Sequence, residues 1–303
     1  MIRRYQYLFT AFVFTLGVLA ALPAGAVPTT AQLANMAYAG IFKKPVTLKN
    51  GRWEGEPFMA GGSSRPAVEL VKDFMLTGDL DNDGRDEAVV LLRESSGGSG
   101  SYYYIAVAGM RHGKPFNLGT ALIGDRVQVR DGRIDGNRIE LNVVEHGPLD
   151  ASCCPSQKTT RSWTLDATGL HVNAPRSTGI LSLADLAGPV WVLSRLEQDK
   201  PLAAQPEITL VFDGNRISGK SACNRYFASV EPASGLPDEI IVSGIGSTRM
   251  ACPEEVMALE TRYLEALADV SRFGFMAGKL ALTWKKNGAT RTMLFIPRQP
   301  KRQ

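Results

Sequence analysis

The chain has 303 residues, 44% of them hydrophobic and 21% charged, with a formal net charge of +4. That composition is ordinarily globular, and the length favours two domains over one. The small positive charge is scattered, with no basic block carrying interleaved aromatics. A nucleic-acid partner is therefore not expected.

The first 26 residues read as a signal peptide. "MIRRYQY" is a short basic start, "LFTAFVFTLGVLAAL" is apolar, and "AGA" at Ala24–Ala26 has the small-x-small pattern of a cleavage site. The apolar run is shorter than the roughly 20 residues of a spanning helix, and an uncleaved anchor is the alternative. Beyond it no apolar run is long enough to cross a bilayer, so no transmembrane segment is expected after signal removal. The chain is thus expected to be periplasmic or secreted, and its four cysteines then lean towards disulfides.

The region 27–178 reads as a β-rich domain. "TTAQLANMAYAGIF" predicts a short helix over 29–42, with Leu33, Met36, Ala37 and Ile41 on one face. "PVTLKNGRWEG" predicts a hairpin turning at Asn50-Gly51. "DEAVVLLRES" and "SYYYIAVAGM" flank the flexible "SGGSGS". Tyr102–Tyr104 serve either as sheet residues or as an aromatic face. "VQVRDGRIDGNRIELNVVEH" alternates in the manner of strands, and "RSWTLDATGLHV" closes the domain as a hairpin. Residues 173–189 then read as a linker.

A second pattern runs from Trp191 to the end of "LFIP". Its single helix starts near Pro253, with Glu254 and Glu255 at the positive end of the dipole. Val256, Leu259, Tyr263, Leu267 and Val270 form the expected apolar stripe. The last hairpin turns at Asn287-Gly288.

The stretches "WVL", "ITLVFDGNRISGKSACNRY", "STRMACP", "ALETRYLEAL" and "KLALTWKKNGATRTMLF" together resemble a META domain of the HslJ type, over about 186–298. Ala222 stands where that family usually has glycine, and Ala228-Ser229 where a glycine commonly follows the tyrosine. The resemblance implies an α+β, mainly antiparallel β fold, with a curved sheet packed by one helix. It also implies an exported bacterial protein tied to heat shock, stress response or envelope upkeep, without established enzymatic activity.

Cys223 and Cys252 admit three chemistries. A nucleophile needs a nearby base, and Asn224, Arg225 and Tyr226 supply none. His112, His146 and His171 all lie in the other half. Zinc would want four ligands, and no histidine of this region completes a set. A disulfide explains the pair best, and closing its loop would stabilise the fold by roughly 3.5 kcal/mol on the chain-entropy model. Asn224, Arg225, Tyr226, Thr248 and Arg249 then cluster beside it. They read either as a hydrogen-bonded turn or as a recognition patch with two guanidinium groups suited to carboxylate or phosphate.

In the first half, "TGDLDNDGRDEAVVLL" places Asp79, Asp81 and Asp83 at alternate positions, with Gly84 for the turn, the Arg85 carbonyl next and Glu87 beyond. Hard oxygens at that spacing suit calcium, and the stretch resembles the calcium loops of FG-GAP repeats. It occurs once, so a propeller is not expected. An Asp- and Asn-rich turn held by its own side chains is the other reading.

"SCCPS" brings Cys153 and Cys154 together as neighbours, closer than a disulfide usually spans. The pair is joined, reduced, or bridged across the domains to Cys223 and Cys252, and such a vicinal pair suggests redox sensing. These features together indicate an exported, non-enzymatic interaction module. Its partner would be an envelope protein, a peptide or a cell-wall component. The alternatives are calcium-dependent binding, redox sensing or a periplasmic hydrolase near Asp79–Glu87 or Cys153–Cys154. A buried pocket with a perturbed acid would favour the hydrolase.

Overall fold

The computed structural model of the protein describes residues 27–98, 100–197 and 206–298. The expected signal peptide lies outside them. The fold is mainly antiparallel β, with short helix α1 (Thr30–Leu33) at one end of the described chain and the longer α2 towards the other. No helix among the described residues is long and apolar enough to cross a membrane.

The helix expected over 29–42 is a single turn. Thr29 caps it, its hydroxyl accepting from Gln32 N–H at 3.2 Å while Gln32 Oε1 accepts from Thr29 N–H at 2.9 Å. The chain then leaves the helix because the Ala34 carbonyl is taken by Gly51 N–H at 2.7 Å, and Asn35 Oδ1 by Asn50 N–H at 3.0 Å. It continues into β1 (Ala37–Tyr38), paired with β2 (Val46–Thr47).

Asn50 and Gly51 do make a tight turn, with φ of 52° and 82° and reciprocal bonds between Lys49 and Arg52. The flanking strands nevertheless belong to different sheets, since β3 (Arg52–Glu54) pairs with β4 (Ala67–Gly78). The sheet continues through β5 (Glu87–Ser95), β6 (Tyr102–Arg111) and β7 (Lys114–Asp125) in the order β3-β4-β5-β6-β7.

Strand β5 does not alternate, because Glu87 through Leu92 are all buried. Both its faces are covered. One side, with Val89 and Leu91, packs on a second sheet; the other, with Ala88, Val90 and Leu92, packs under Leu33, Tyr38 and Leu48 of the amino-terminal segment. Tyr103 and Tyr104 divide between the same two cores as ordinary sheet residues.

The second sheet contains β8 (Gln128–Asp135), β9 (Arg138–Glu145), β10 (Gln157–Asp166) and β11 (Gly169–Val172). Its fifth strand, β12 (Arg176–Ile180), also pairs with β10. The segment 173–189 is thus no free linker: the sheet runs to Ile180, past residue 178, and continues into a 3-10 turn at Leu183–Leu186. β12 is fully exposed, which leaves it no apolar pattern to read in the sequence.

The remaining strands are β13 (Val190–Leu196), β14 (Thr209–Asp213), β15 (Arg216–Lys220), β16 (Arg225–Pro232) and β17 (Ile240–Ser247). Helix α2 (Glu254–Ala268) precedes β18 (Val270–Met276), β19 (Lys279–Lys286) and β20 (Ala289–Arg298). They form one curved sheet in the order β17-β16-β15-β14-β13-β20-β19-β18. Its two ends approach each other, with a bridge between Glu239 and Arg272 and Phe273 N–H on the Asp238 carbonyl at 2.9 Å.

Helix α2 covers the concave side. Tyr263 and Leu267 are buried and Val256 and Leu259 partly so, as the stripe predicts, whereas Val270 has already passed into β18. The stripe also contains Glu260, a buried acid among apolar residues.

Candidate functional site

Three places carry chemistry. The acidic loop connects β4 to β5, whose ends pair at Gly78 and Glu87. The loop closes on its own carboxylates: Asp79 Oδ2 accepts from Gly84 N–H at 3.1 Å and Asp81 Oδ1 from Asp83 N–H at 3.2 Å. Gly84 has φ of 81°, a conformation that a side chain would strain.

Of the five residues expected to ligate, the structure brings Asp79, Asp81 and Glu87 together, with ligand oxygens within 4.8 Å of one another. Asp83 does not join them. Its carboxylate is held by the Arg85 guanidinium at 2.5 Å and 3.0 Å, and by Arg85 N–H at 2.9 Å. That pairing depresses its pKa.

Glu87 is only 4% exposed, and its carboxylate accepts from Leu80 N–H at 2.9 Å. Burial pushes its pKa up to about 7; the Leu80 bond opposes this, and Asp81, Asp83 and Asp79 add to it. Asp79 Oδ1 is buried and has no hydrogen-bond partner. Three carboxylates facing one another with an orphaned oxygen fit a hard cation, which would supply the missing positive charge.

A cavity of about 320 Å³ adjoins the loop and reaches Arg111, His112 and Phe116. A buried acid beside a cavity is the feature that a hydrolase would show. Burial and the neighbouring carboxylates cause this perturbation, and a cation held between the carboxylates would offset the repulsion part of it.

The second place is the turn between β15 and β16. Glu260 of α2 reaches into it, 5% exposed, and gathers four bonds. Ser221 Oγ donates at 2.7 Å, Cys223 N–H at 3.2 Å and Asn224 N–H at 2.7 Å to Oε2, and Asn224 Nδ2 donates at 2.8 Å to Oε1. Burial alone would raise this carboxyl's pKa; the four donors outweigh it and hold it below the ordinary glutamate value.

Asn224 passes the network onward, its Oδ1 accepting from Thr248 Oγ1 at 2.8 Å and Met250 N–H at 2.7 Å. Tyr226 and Tyr263 stack edge to face, with hydroxyls 2.6 Å apart. Cys223 and Cys252 are joined, with Cα atoms 6.1 Å apart. Ala222 sits in the turn at φ 90°, where glycine is the unstrained residue.

The expected five-residue cluster therefore divides. Asn224, Tyr226 and Thr248 are tied into the domain, while Arg225 and Arg249 are exposed and neither makes an ion pair among the described residues. Glu260 is the organiser that the motifs did not reveal. The available signal was an acid at a position that should be apolar, three before Tyr263 and seven before Leu267.

The outer face of the same strands is the third place. A groove of about 750 Å³ runs over β14, β15 and β16, lined by Val211, Arg216, Ser218, Lys220, Arg225, Phe227 and Met250, among others. Phe227 is 48% exposed and Met250 56%.

The adjacent cysteines Cys153 and Cys154 are joined to each other, the first exposed and the second buried. Asp150 pins their loop by accepting from Gly147 N–H, Ser156 N–H and Ser156 Oγ. His171 does have triad-type neighbours, Asp166 and Thr168. Both approach the same nitrogen, Nε2, at 3.0 Å and 2.8 Å, which is not the geometry of a relay.

None of the curated proteins matches the chain. An NMR structure of a protein from Burkholderia xenovorans is similar over 38% of this chain and 85% of its own, at 27% identity and a TM-score of 0.30. The META domain family matches residues 184–299, spanning the curved sheet, the Glu260 turn and α2. The C-terminal part of this chain is a META domain.

Proposed function

We propose that the protein is exported to the periplasm or beyond and acts there as a non-enzymatic binding module of the envelope, in stress response or upkeep. One contrast carries this reading. The motif residues that would support chemistry are consumed internally, sulfur by sulfur and Asn224 by Glu260. The outer face of the same strands instead presents cations and apolar side chains to solvent. Such a surface suits a partner better than a reaction.

The test is in-cell crosslinking from a photo-reactive residue in place of Phe227. The expected result is an envelope partner, protein, peptide or cell-wall component, captured from that position and not from position 172. Equal capture from both positions removes the META face from the function. Turnover of ester, amide or glycoside substrates that disappears in Glu87→Gln would make the protein an enzyme.

A second reading rests on the orphaned Asp79 Oδ1: Asp79, Asp81 and Glu87 hold calcium, and the ion stiffens the amino-terminal sheets. It predicts thermal stabilisation by millimolar calcium, reversed by chelator.

A further inference from the structure

The charge pattern of the META groove specifies its occupant further, an inference that rests on the binding-module reading above. Lys220 and Arg225 lie directly opposite each other across β15 and β16. Like charges at such a pair destabilise a sheet, and no ion pair among the described residues neutralises either one. In the next rows Ser218 faces Phe227, and Arg216 faces Ser229. The Arg216 guanidinium lies over the Phe227 ring, 5.3 Å from its centre.

The acids nearby do not cancel these charges. Glu207 is occupied by Arg298 at 2.5 Å, and Asp213, opposite Arg216 in the β14–β15 hairpin, makes no ion pair with it. The face therefore reads, along the β15–β16 pair, as cation, apolar ring, cation: Arg216 on β15, Phe227 opposite Ser218 on β16, then Lys220 with Arg225. Arg216 and Lys220 stand four residues apart, about 13 Å along a strand.

An extended chain reproduces that spacing with its own side chains, since residues i, i+2 and i+4 share a face. We infer that the groove over β15 and β16 docks an extended acidic peptide segment of a partner protein, with two carboxylates flanking an apolar side chain at two-residue spacing. The carboxylate at one end meets Lys220 and Arg225, the apolar side chain lies against Phe227 and Met250, and the second carboxylate meets Arg216. Guanidinium forks suit carboxylates, and the Ser218 hydroxyl faces the groove beside them for the peptide backbone.

The experiment is fluorescence anisotropy with the full exported chain and a labelled peptide of pattern glutamate-serine-leucine-serine-glutamate. Binding that weakens with salt is expected, falling at least about tenfold in Lys220→Glu/Arg225→Glu. Phe227→Ala and a peptide with its two glutamates adjacent should each lose about fivefold. Should the double variant misfold, Arg216→Glu tests the other end with the same expectation.

Equal affinity for the peptide and its rearranged form overturns the proposal. So does complete competition by inorganic phosphate at matching concentration, or stronger retention on anionic lipid vesicles. If peptides fail while crosslinking from position 227 still captures a partner, the ligand class is wrong and the binding module stands. If both fail, both fall.

Discussion

Glu87 and Glu260 are two buried carboxylates in one chain, exposed to nearly the same extent, and their chemistry is opposite. Glu260 collects four donors and stays charged. Glu87 is held by the Leu80 N–H while three aspartates surround it, and its affinity for a proton rises. Burial sets the stakes in both places, but partners decide the outcome. One acid organises a domain; the other sits in the repulsion of its neighbours.

The sharpest break of this comparison is truncation. Glu260→Ala leaves a buried turn of donors without an acceptor and should cost about 3–5 kcal/mol in denaturant unfolding. Glu87→Gln should stabilise the protein at neutral pH in chelator, because it removes a charge that repels its neighbours. If both variants lose the same stability, partners do not distinguish the two sites.

Titration gives opposite slopes. For Glu260 the folded pKa is depressed, so its stabilisation is present above the ordinary 4.5 and disappears as pH falls through the folded value. For Glu87 the folded pKa is raised to about 7. In chelator, stability should therefore fall as pH climbs from 4.5 to 7, by a few kcal/mol at most. Thermal melts across that range should show the fall in wild type and not in Glu87→Gln. A flat wild-type profile would remove the contrast.

Calcium sharpens it. At ten times its Kd a cation on Asp79, Asp81 and Glu87 adds about 1.4 kcal/mol, seen as a rise in Tm that Asp79→Asn abolishes. Glu260→Gln should lower stability without changing the calcium response.

The smallest effect is at Ala222. Its φ of 90° is costly for any residue with a side chain, and Ala222→Gly should gain about 1 kcal/mol. A loss instead would mean that its buried methyl contributes more to packing than the strained turn takes away.

The curved sheet and α2 were legible because each strand has one wet face and short turns punctuate them, as at Asn287-Gly288, where both residues have positive φ. The cysteine-bearing stretches marked the family for the same reason: they sit where the turn meets the helix. Glu260 offered only its place within the apolar stripe, and its role as organiser stays hidden until the turn that surrounds it is known. In the amino-terminal half, β5 hid its role by being buried on both sides, and the short α1 was cut off by bonds from Asn50 and Gly51, fifteen or more positions along the chain. Asp83 looked equivalent to its neighbours; only the reach of Arg85 separates it.

The seam between the halves has a consequence of its own. Gln128 Oε1 receives the Phe275 N–H at 2.8 Å, Lys279 meets Asp73 at 2.7 Å, and Leu181 and Val144 complete the core beneath the curved sheet. Strand β18 ends its sheet, and this contact caps one of the donors it would otherwise offer to another chain. A fragment cut free of the first half would bare the Phe275 N–H and the apolar surface that Val144 and Leu181 cover, so the upstream sheets shield the rim where it would otherwise pair with a second copy.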